Sequence, residues 1–169
     1  MDLIVKLLIY GVILGGIILY FYLQRRQSNR HYLHTFNENF SALDDLVKKS
    51  SDLTYDEEVA CISYFLESYW IFDGIILPEY LDSLYPEVDQ SAWIWEVRAL
   101  QLRELQSEQR ISQQQVDILL DMKKFVLFLE TARWPGVSYH EQEFLKESCK
   151  KICIYYETMH EVLTLIEQH

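Results

Sequence analysis

Hydrophobic residues recur at intervals of three and four along most of this 169-residue chain, which is the spacing of an α-helix. No stretch after residue 30 shows the sustained alternation of apolar and polar residues that marks a strand. Residues 3–23 differ from the rest because they are almost continuously apolar. We therefore predict an all-α protein in which a single N-terminal transmembrane helix precedes a helical bundle.

The apolar run of residues 3–23 has the length of a membrane span. Its 21 residues contain one charge, Lys6, and at about 1.5 Å per residue they extend roughly 31 Å, close to a hydrocarbon core of about 30 Å. Lys6 is near one end, and Tyr20 and Tyr22 are at the other, where an aromatic belt is expected. A cleaved signal peptide is the alternative, but the run is long and ends in YFYLQRR, with no small residue to cut beside. We predict a permanent anchor of residues 1–30.

The charges beside the span predict its orientation. Arg25, Arg26 and Arg30 follow the span, and positive residues favour the cytoplasmic side. The N-terminus is then outside the inner membrane, and residues 31–169 form a cytoplasmic domain. An odd number of cysteines fits a reducing compartment; they are Cys61, Cys149 and Cys153.

Two features allow the chain to associate with a second copy of itself. Gly11 and Gly15 have the four-residue spacing that lets membrane helices approach closely. The first helix after the span carries a narrow apolar seam that either extends such a dimer or docks on its own bundle. The seam consists of Leu33, Phe36, Phe40, Leu43 and Val47.

Three capping-box patterns predict where helices begin in the domain. They are Thr54 with Glu57, Ser112 with Gln115, and Ser138 with Glu141. The first helix extends to about residue 72, where Asp73 and a left-handed Gly74 are expected to end it. The second covers about residues 113–133, and the third begins at about Tyr139 and extends almost to the C-terminus.

Two further helices are predicted between the first and second capping boxes. Pro78 starts a short helix that ends at Tyr85, before Pro86. A longer helix covers about residues 89–109 and carries Trp93, Val97 and Leu100 on one side.

The distribution of charge narrows the classes of partner. The net charge is −11, but residues 1–30 carry +3 and residues 31–169 carry −14. A strongly acidic domain repels phosphate backbones, so we do not expect nucleic-acid binding. The lipid bilayer is the expected partner of the basic flank, because anionic headgroups attract arginine.

Candidate chemistry in the sequence is sparse. Glu157 and His160 form one E-x-x-H unit, but a di-iron bundle needs two such units and two further glutamates. Cys149 and Cys153 fall among apolar residues of one helix, which favours small buried side chains over a metal site. Paired acids such as Asp117 and Asp121 alternate with glutamine and lysine, as on a solvated face. We expect no cofactor and no metal, and no catalytic motif supports an enzyme.

Aromatic residues are the distinguishing feature of the domain. They are concentrated in residues 64–81 and 91–97. One interpretation is a core packed with rings, and the other is that some rings are exposed and bind a partner, since Trp and Tyr dominate interface hot spots. Trp70, Trp93 and Trp95 are the candidate partner-binding residues.

This aromatic region resembles a family of uncharacterised, mostly bacterial proteins that have one N-terminal membrane helix and a small cytoplasmic helical domain. The resemblance covers residues 55–105 and rests on Glu67, the GII of residues 74–76, Leu81, and Trp93 or Trp95 with Arg98. Pro78 and the long C-terminal helices have no counterpart in it. The family has no assigned activity, so the resemblance implies architecture only.

These observations predict an anchored interaction or scaffold protein that recruits a protein partner, or a second copy of itself, at the cytoplasmic membrane face. The alternative is a membrane-associated enzyme or ligand sensor. It would have an aromatic-lined pocket between the helices near Trp70 and Trp93.

Overall fold

The computed structural model describes residues 30–49, 52–86, 94–131 and 139–168, and every element within them is a helix. Because these residues contain no strand, the predicted all-α fold is confirmed for them. The span of residues 3–23 lies outside the described residues, as do Trp93 and Ser138. The same holds for Lys6, Gly11, Gly15, Tyr20, Tyr22, Arg25 and Arg26. The backbone of Trp95 belongs to a described helix, but its side chain is outside the description.

The first described helix, α1 (residues 30–49), packs its seam onto the bundle. Phe36 and Leu43 are buried, and Phe40 stacks on Tyr156 of the last helix with ring centroids 4.7 Å apart. The sequence predicted that the seam either extends a dimer or docks on its own bundle. In the structure it docks on its own bundle. Leu33, the first seam residue, is exposed because it lines an open cavity at the end of the last helix.

Helix α2 (Tyr55–Ile71) begins at the predicted capping box. The backbone N–H of Thr54 donates to Glu57 Oε2 at 3.0 Å, and the N–H of Glu57 donates to Thr54 Oγ1 at 3.4 Å. These bonds satisfy donors that the first helical turn leaves without a partner. The apolar face of α2, including Cys61 and Phe65, is buried and packs most closely against α6 (Tyr139–Glu167).

The predicted helix end at Asp73 and Gly74 is wrong. The chain continues through a π-turn (Phe72–Ile76) into α3 (Leu77–Leu84), and the N–H of Leu77 donates to the carbonyl of Phe72, five residues earlier. Pro78 has no N–H and its ring would crowd the carbonyl of Gly74 in a regular helix. The wider π-turn accommodates the proline, and Gly74 does not adopt the left-handed conformation.

Among the described helices, the continuous segment Tyr55–Leu84 is long and apolar enough to cross a membrane by length and composition. The central helix of a bundle has the same composition, because it is covered on several sides. Phe65 and Leu81 from this segment are fully buried in the hydrophobic core. The packing of the bundle thus accounts for part of the apolar character of this segment, since a third of its most apolar window is buried.

Helix α4 (Ile94–Ser107) is tied to α3 by a polar contact. Arg98 Nη1 and Gln101 Nε2 both donate to Asp82 Oδ1, at 2.9 and 3.0 Å. Val97 is buried, but Leu100, predicted on the same side, is exposed. The buried side of α4 instead continues through Gln101, Leu102 and Leu105.

Helix α5 (Gln113–Thr131) begins at the second predicted capping box and is antiparallel to α6. The N–H of Ser112 donates to Gln115 Oε1 at 2.7 Å, and the N–H of Gln115 donates to Ser112 Oγ at 3.1 Å. Both capping boxes within the described residues are therefore confirmed. The rings of Phe65, Phe125 and Tyr155 from α2, α5 and α6 meet in the core, with centroids 5.2 to 6.3 Å apart.

Candidate functional site

Trp70, one of the predicted partner-binding residues, lies on the surface at the end of α2. Its side chain is 46% exposed, whereas the preceding Tyr69 is buried. The indole N–H donates to Glu130 Oε1 of α5 at 3.0 Å. This bond holds the ring in place, so Trp70 presents a fixed apolar face to solvent.

Two large apolar residues on α5 are also exposed. Leu127 is one turn before Glu130 and is 50% exposed, and the adjacent Phe128 is 54% exposed. The Phe128 ring contacts Phe144 of α6 edge-to-face, with centroids 5.8 Å apart. We call Trp70, Leu127 and Phe128 the aromatic surface. The sequence left two interpretations of the aromatic region, a core packed with rings and rings exposed on the surface, and the structure contains both. Trp70 is exposed, whereas four other rings are buried: Phe65, Tyr69, Phe72 and Tyr80.

A groove of about 480 Å³ lies on the surface between the packed helices α5 and α6, and Phe128 of the aromatic surface lines it. Phe125, Phe128 and Phe144 form its apolar part. Lys151 Nζ lies 5.1 Å from the centroid of Phe125, a cation–π distance, and 3.5 Å from Asp121 Oδ2. The groove offers rings and paired charges, which suit binding of another molecule.

Asp121, which lines this groove, forms a hydrogen-bonded pair with a tyrosine of α6. Tyr155 donates its hydroxyl to Asp121 Oδ2 at 2.7 Å. This hydrogen bond is the main reason that the pKa of Asp121 lies below its usual value, with Lys151 adding to the effect. Asp121 lies on a solvated face, as its sequence context predicted, with 52% of its side chain exposed. It is ionised and held between two donors. A carboxyl in that state is a poor general acid.

A second cavity, of about 400 Å³, lies between α1, the π-turn and α6. Three rings line it in sequence: Phe36 stacks on Phe40 at 5.0 Å, and Phe40 stacks on Tyr156 at 4.7 Å. Tyr156 donates its hydroxyl to Asp44 Oδ1 at 2.9 Å, and Lys48 also contacts Asp44. The pKa of Asp44 is lowered, first by the bond from Lys48 and then by that from Tyr156. We call this space the α1–α6 cavity.

The cysteines lie where α2 meets α6. Cys61 and Cys149 are buried, and Cys149 Sγ donates to the backbone carbonyl of Glu58 at 3.6 Å. The pKa of Cys149 is raised by its contact with Cys61 and by burial, and burial raises the pKa of Cys153. Raised thiol pKa values are typical of inert structural cysteines. The prediction of small buried side chains, made for Cys149 and Cys153, is confirmed for Cys149, whereas Cys153 is only partly buried.

The remaining candidate ligands do not meet at a metal site in the part of the chain that the structure describes. Glu157 and His160 are both exposed, and His160 lies against the rings of Phe40 and Tyr156. No group of three or more His, Cys, Asp or Glu side chains within the described ranges has a geometry that could hold an ion.

Sequence reasoning missed the α5–α6 groove and the α1–α6 cavity, because each exists only once its helices have packed against one another. The α5–α6 groove joins Phe125 and Phe144, and the α1–α6 cavity joins Phe40 and Tyr156. The only local signal for the first was the pair of rings at positions 125 and 128. Trp70, the predicted partner-binding residue whose side chain is described, is not among the residues that line either space. Arg30, predicted at the membrane interface, is exposed at the start of α1.

Comparisons with protein-family models, with curated proteins and with solved structures find no match to this chain. The resemblance of residues 55–105 to a family of membrane-anchored helical proteins therefore stays a prediction. The function must be inferred from the surfaces and cavities themselves.

Proposed function

We propose that this chain is a single-pass, membrane-anchored interaction protein. In this proposal the span of residues 3–23 holds an acidic helical domain at the cytoplasmic face of the inner membrane, with the N-terminus outside. Confinement to the membrane plane raises the local concentration of the domain around partners in the same membrane. The length of the span and the arginines that follow it support this placement.

The observation that carries the proposal is the aromatic surface. Trp70, Leu127 and Phe128 are each about half exposed, and large rings at a protein surface are typical of interface hot spots. The surface borders a groove between two antiparallel helices. A third helix fits such a groove by inserting apolar side chains at positions i, i+3, i+4 and i+7. We therefore infer that the partner presents the apolar face of an amphipathic helix.

The proposal is tested by separate Trp70→Ala and Phe128→Ala variants of the full chain, crosslinked in native membranes. Both variants should lose a crosslinked partner that the wild-type protein retains, while their helix content is unchanged. Leu100→Ala is the matched control, because Leu100 is an exposed apolar residue on α4 outside the aromatic surface. Trp93→Ala and Trp95→Ala test the other two predicted partner-binding residues. Equal partner yield from all variants would contradict the proposal.

The orientation has its own test. A protease added to intact spheroplasts should leave the domain undigested and should digest it after lysis. Digestion in intact spheroplasts would contradict the cytoplasmic placement.

A further inference from the structure

The exposed side of α5 carries two lysines between apolar residues. Leu120 is 38% exposed, and Leu127, seven residues later, is 50% exposed, so the two lie on one side of the helix two turns apart. The turn between them contains Lys123 and Lys124, which are both exposed. Lys124 also lines the α5–α6 groove, beside Phe128 of the aromatic surface. We call Leu120, Lys123, Lys124 and Leu127 the outer face of α5.

These two lysines have no bonded partner within the domain. In the part of the chain that the structure describes, neither forms an ion pair or a hydrogen bond, and Lys124 acts on Asp121 only through its charge. Two other lysines of this region are paired within the domain: Lys151 with Asp121, and Lys150 with Glu147. The middle turn of the outer face therefore has a local surplus of positive charge.

The net charge of the whole domain does not cancel this surplus at contact distance. Residues 31–169 carry −14, but in physiological salt the interactions of exposed charges are screened beyond about 8 Å. A partner that lies on the outer face of α5 interacts mainly with the lysines nearest to it. Opposite charges across an interface select the correct partner, and like charges exclude a wrong one.

We propose that the helix that binds the aromatic surface carries acidic residues in one turn, between two apolar turns. This inference rests on the proposed function, because it names the chemistry of the partner at the same surface. The apolar turns contact Leu120 at one end and Leu127 with Phe128 at the other. Each contact is about one helical turn, or 5.4 Å, from the lysines. The carboxylates lie opposite Lys123 and Lys124, and a helix with basic residues in that turn is repelled.

The shape of the surface favours a helix over an anionic membrane. The groove beside the outer face is a concave space between two helices, and such a space accepts the side chains of a third helix. The carboxylates of Asp121 and Glu147 also line it. Anionic headgroups would cover the whole surface and meet these carboxylates, whereas the acids of a partner helix are confined to the turn that faces the lysines.

The test measures the binding of three synthetic peptides to the full-length protein in lipid nanodiscs, with empty discs as the blank. Each peptide has about 20 residues, which is long enough to form a helix. All three carry leucine in the two apolar turns, and the turn between contains glutamate, glutamine or lysine. We expect the glutamate peptide to bind at least about tenfold more tightly than the lysine peptide, and high salt should remove most of this preference. Equal affinities, or no binding of the glutamate peptide, would overturn the proposal.

Charge variants locate the preference on the outer face. The double variant Lys123→Gln and Lys124→Gln should reduce the preference for glutamate over lysine to about threefold or less, with helix content unchanged by circular dichroism. The matched control is the double variant Lys48→Gln and Lys49→Gln, which removes two exposed lysines from α1. It should leave the preference unchanged. An equal loss in both double variants would mean that the peptides sense only the net charge of the domain, and would overturn the proposal.

A Phe128→Ala variant separates this inference from the proposed function. It removes apolar contact without changing charge, so it should weaken all three peptides alike, by about fivefold or more. If it does so while the three affinities are equal, the aromatic surface is the binding site and the partner is not acidic. If Phe128→Ala has no effect, the peptides bind elsewhere and both proposals lose support. Lipid adducts in place of peptide adducts from a photoreactive residue at position 127 would assign this face to the membrane instead.

Discussion

Two consecutive tyrosines of α6 each bind a carboxylate on a different helix. Tyr155 donates to Asp121 of α5, and Tyr156 donates to Asp44 of α1. Adjacent residues of a helix point about 100° apart, so the two bonds fasten α6 to a neighbour on each of two sides. Because a hydrogen bond requires particular atoms to meet, these two bonds specify the positions of α5 and α1 along α6 more narrowly than hydrophobic packing does.

The Asp44–Tyr156 bond predicts a coupling that depends on pH. A double-mutant cycle with Asp44→Asn and Tyr156→Phe should give an interaction energy of about 0.5–1.5 kcal/mol at neutral pH. Urea unfolding of the full-length protein in detergent micelles, followed by circular dichroism, measures it.

The direction of each pKa shift fixes the pH window of this coupling. The pKa of Asp44 is lowered from 3.8, so the stability it contributes is complete above that pH and is lost as the pH falls through the lowered value. The pKa of Tyr156 is raised from 10.0, mainly by burial, so its contribution is complete below pH 10 and is lost as the pH rises through the raised value. A coupling that does not weaken at all as the pH is lowered from 7 to well below 3.8 would contradict this assignment.

At the residue scale, the sequence predicted what depends on near neighbours in the chain. The capping boxes at Thr54 and Ser112 formed because each needs only residues three apart. The partner of Asp121 was not predictable, because Tyr155 is 34 residues away and reaches it only when α5 and α6 pack.

At the scale of elements, most helices were predictable and their ends less so. Gln109 shows why, since it takes a positive φ of 59°. The N–H of Arg110 then bonds the carbonyl of Leu105, which closes a C-terminal cap that usually contains glycine. No glycine marks this end, and the helix predicted to residue 109 stops at Ser107.

The π-turn makes a sharp prediction for Gly74→Ala. A Cβ at this position meets nothing within 4 Å, and the backbone is helical, so alanine should stabilise the protein by about 0.5–1 kcal/mol through its higher helix propensity. Urea unfolding of the variant and the wild-type protein measures the difference. Destabilisation of that size would mean that Gly74 is a left-handed helix end after all.

The proposed membrane span gives a separate prediction for Gly15→Ile. Because the seam of α1 docks on its own bundle, any self-association is assigned to the small-residue face of Gly11 and Gly15. Gly15→Ile should therefore reduce the yield of crosslinked dimer in membranes. Gly16→Ile is the matched control: by helix periodicity, position 16 of the proposed span is about 100° away from position 15, so this variant should leave the yield unchanged. If the two variants behave alike, these glycines do not form a dimer interface.

At the scale of the whole molecule, the sequence predicted the class of fold but not its surfaces. Periodicity identified residues that could be buried, but it did not separate Tyr69 from Trp70. These aromatic residues are adjacent in the chain, yet Tyr69 is buried and Trp70 is exposed. The difference arises because Tyr69 faces the core while Trp70 reaches across the surface to Glu130. Which rings are available to a partner is thus decided by helix packing, and so is the position of the α5–α6 groove.

The most direct test of the proposed function is site-specific photocrosslinking in living cells. A photoreactive residue at position 127, within the aromatic surface, should crosslink to a protein of the membrane fraction, and Trp70→Ala should abolish that product. The same photoreactive residue at position 100, on the exposed side of α4, should not give it. A product that forms equally from both positions, or that persists with Trp70→Ala, would contradict the assignment of this surface as the partner-binding site.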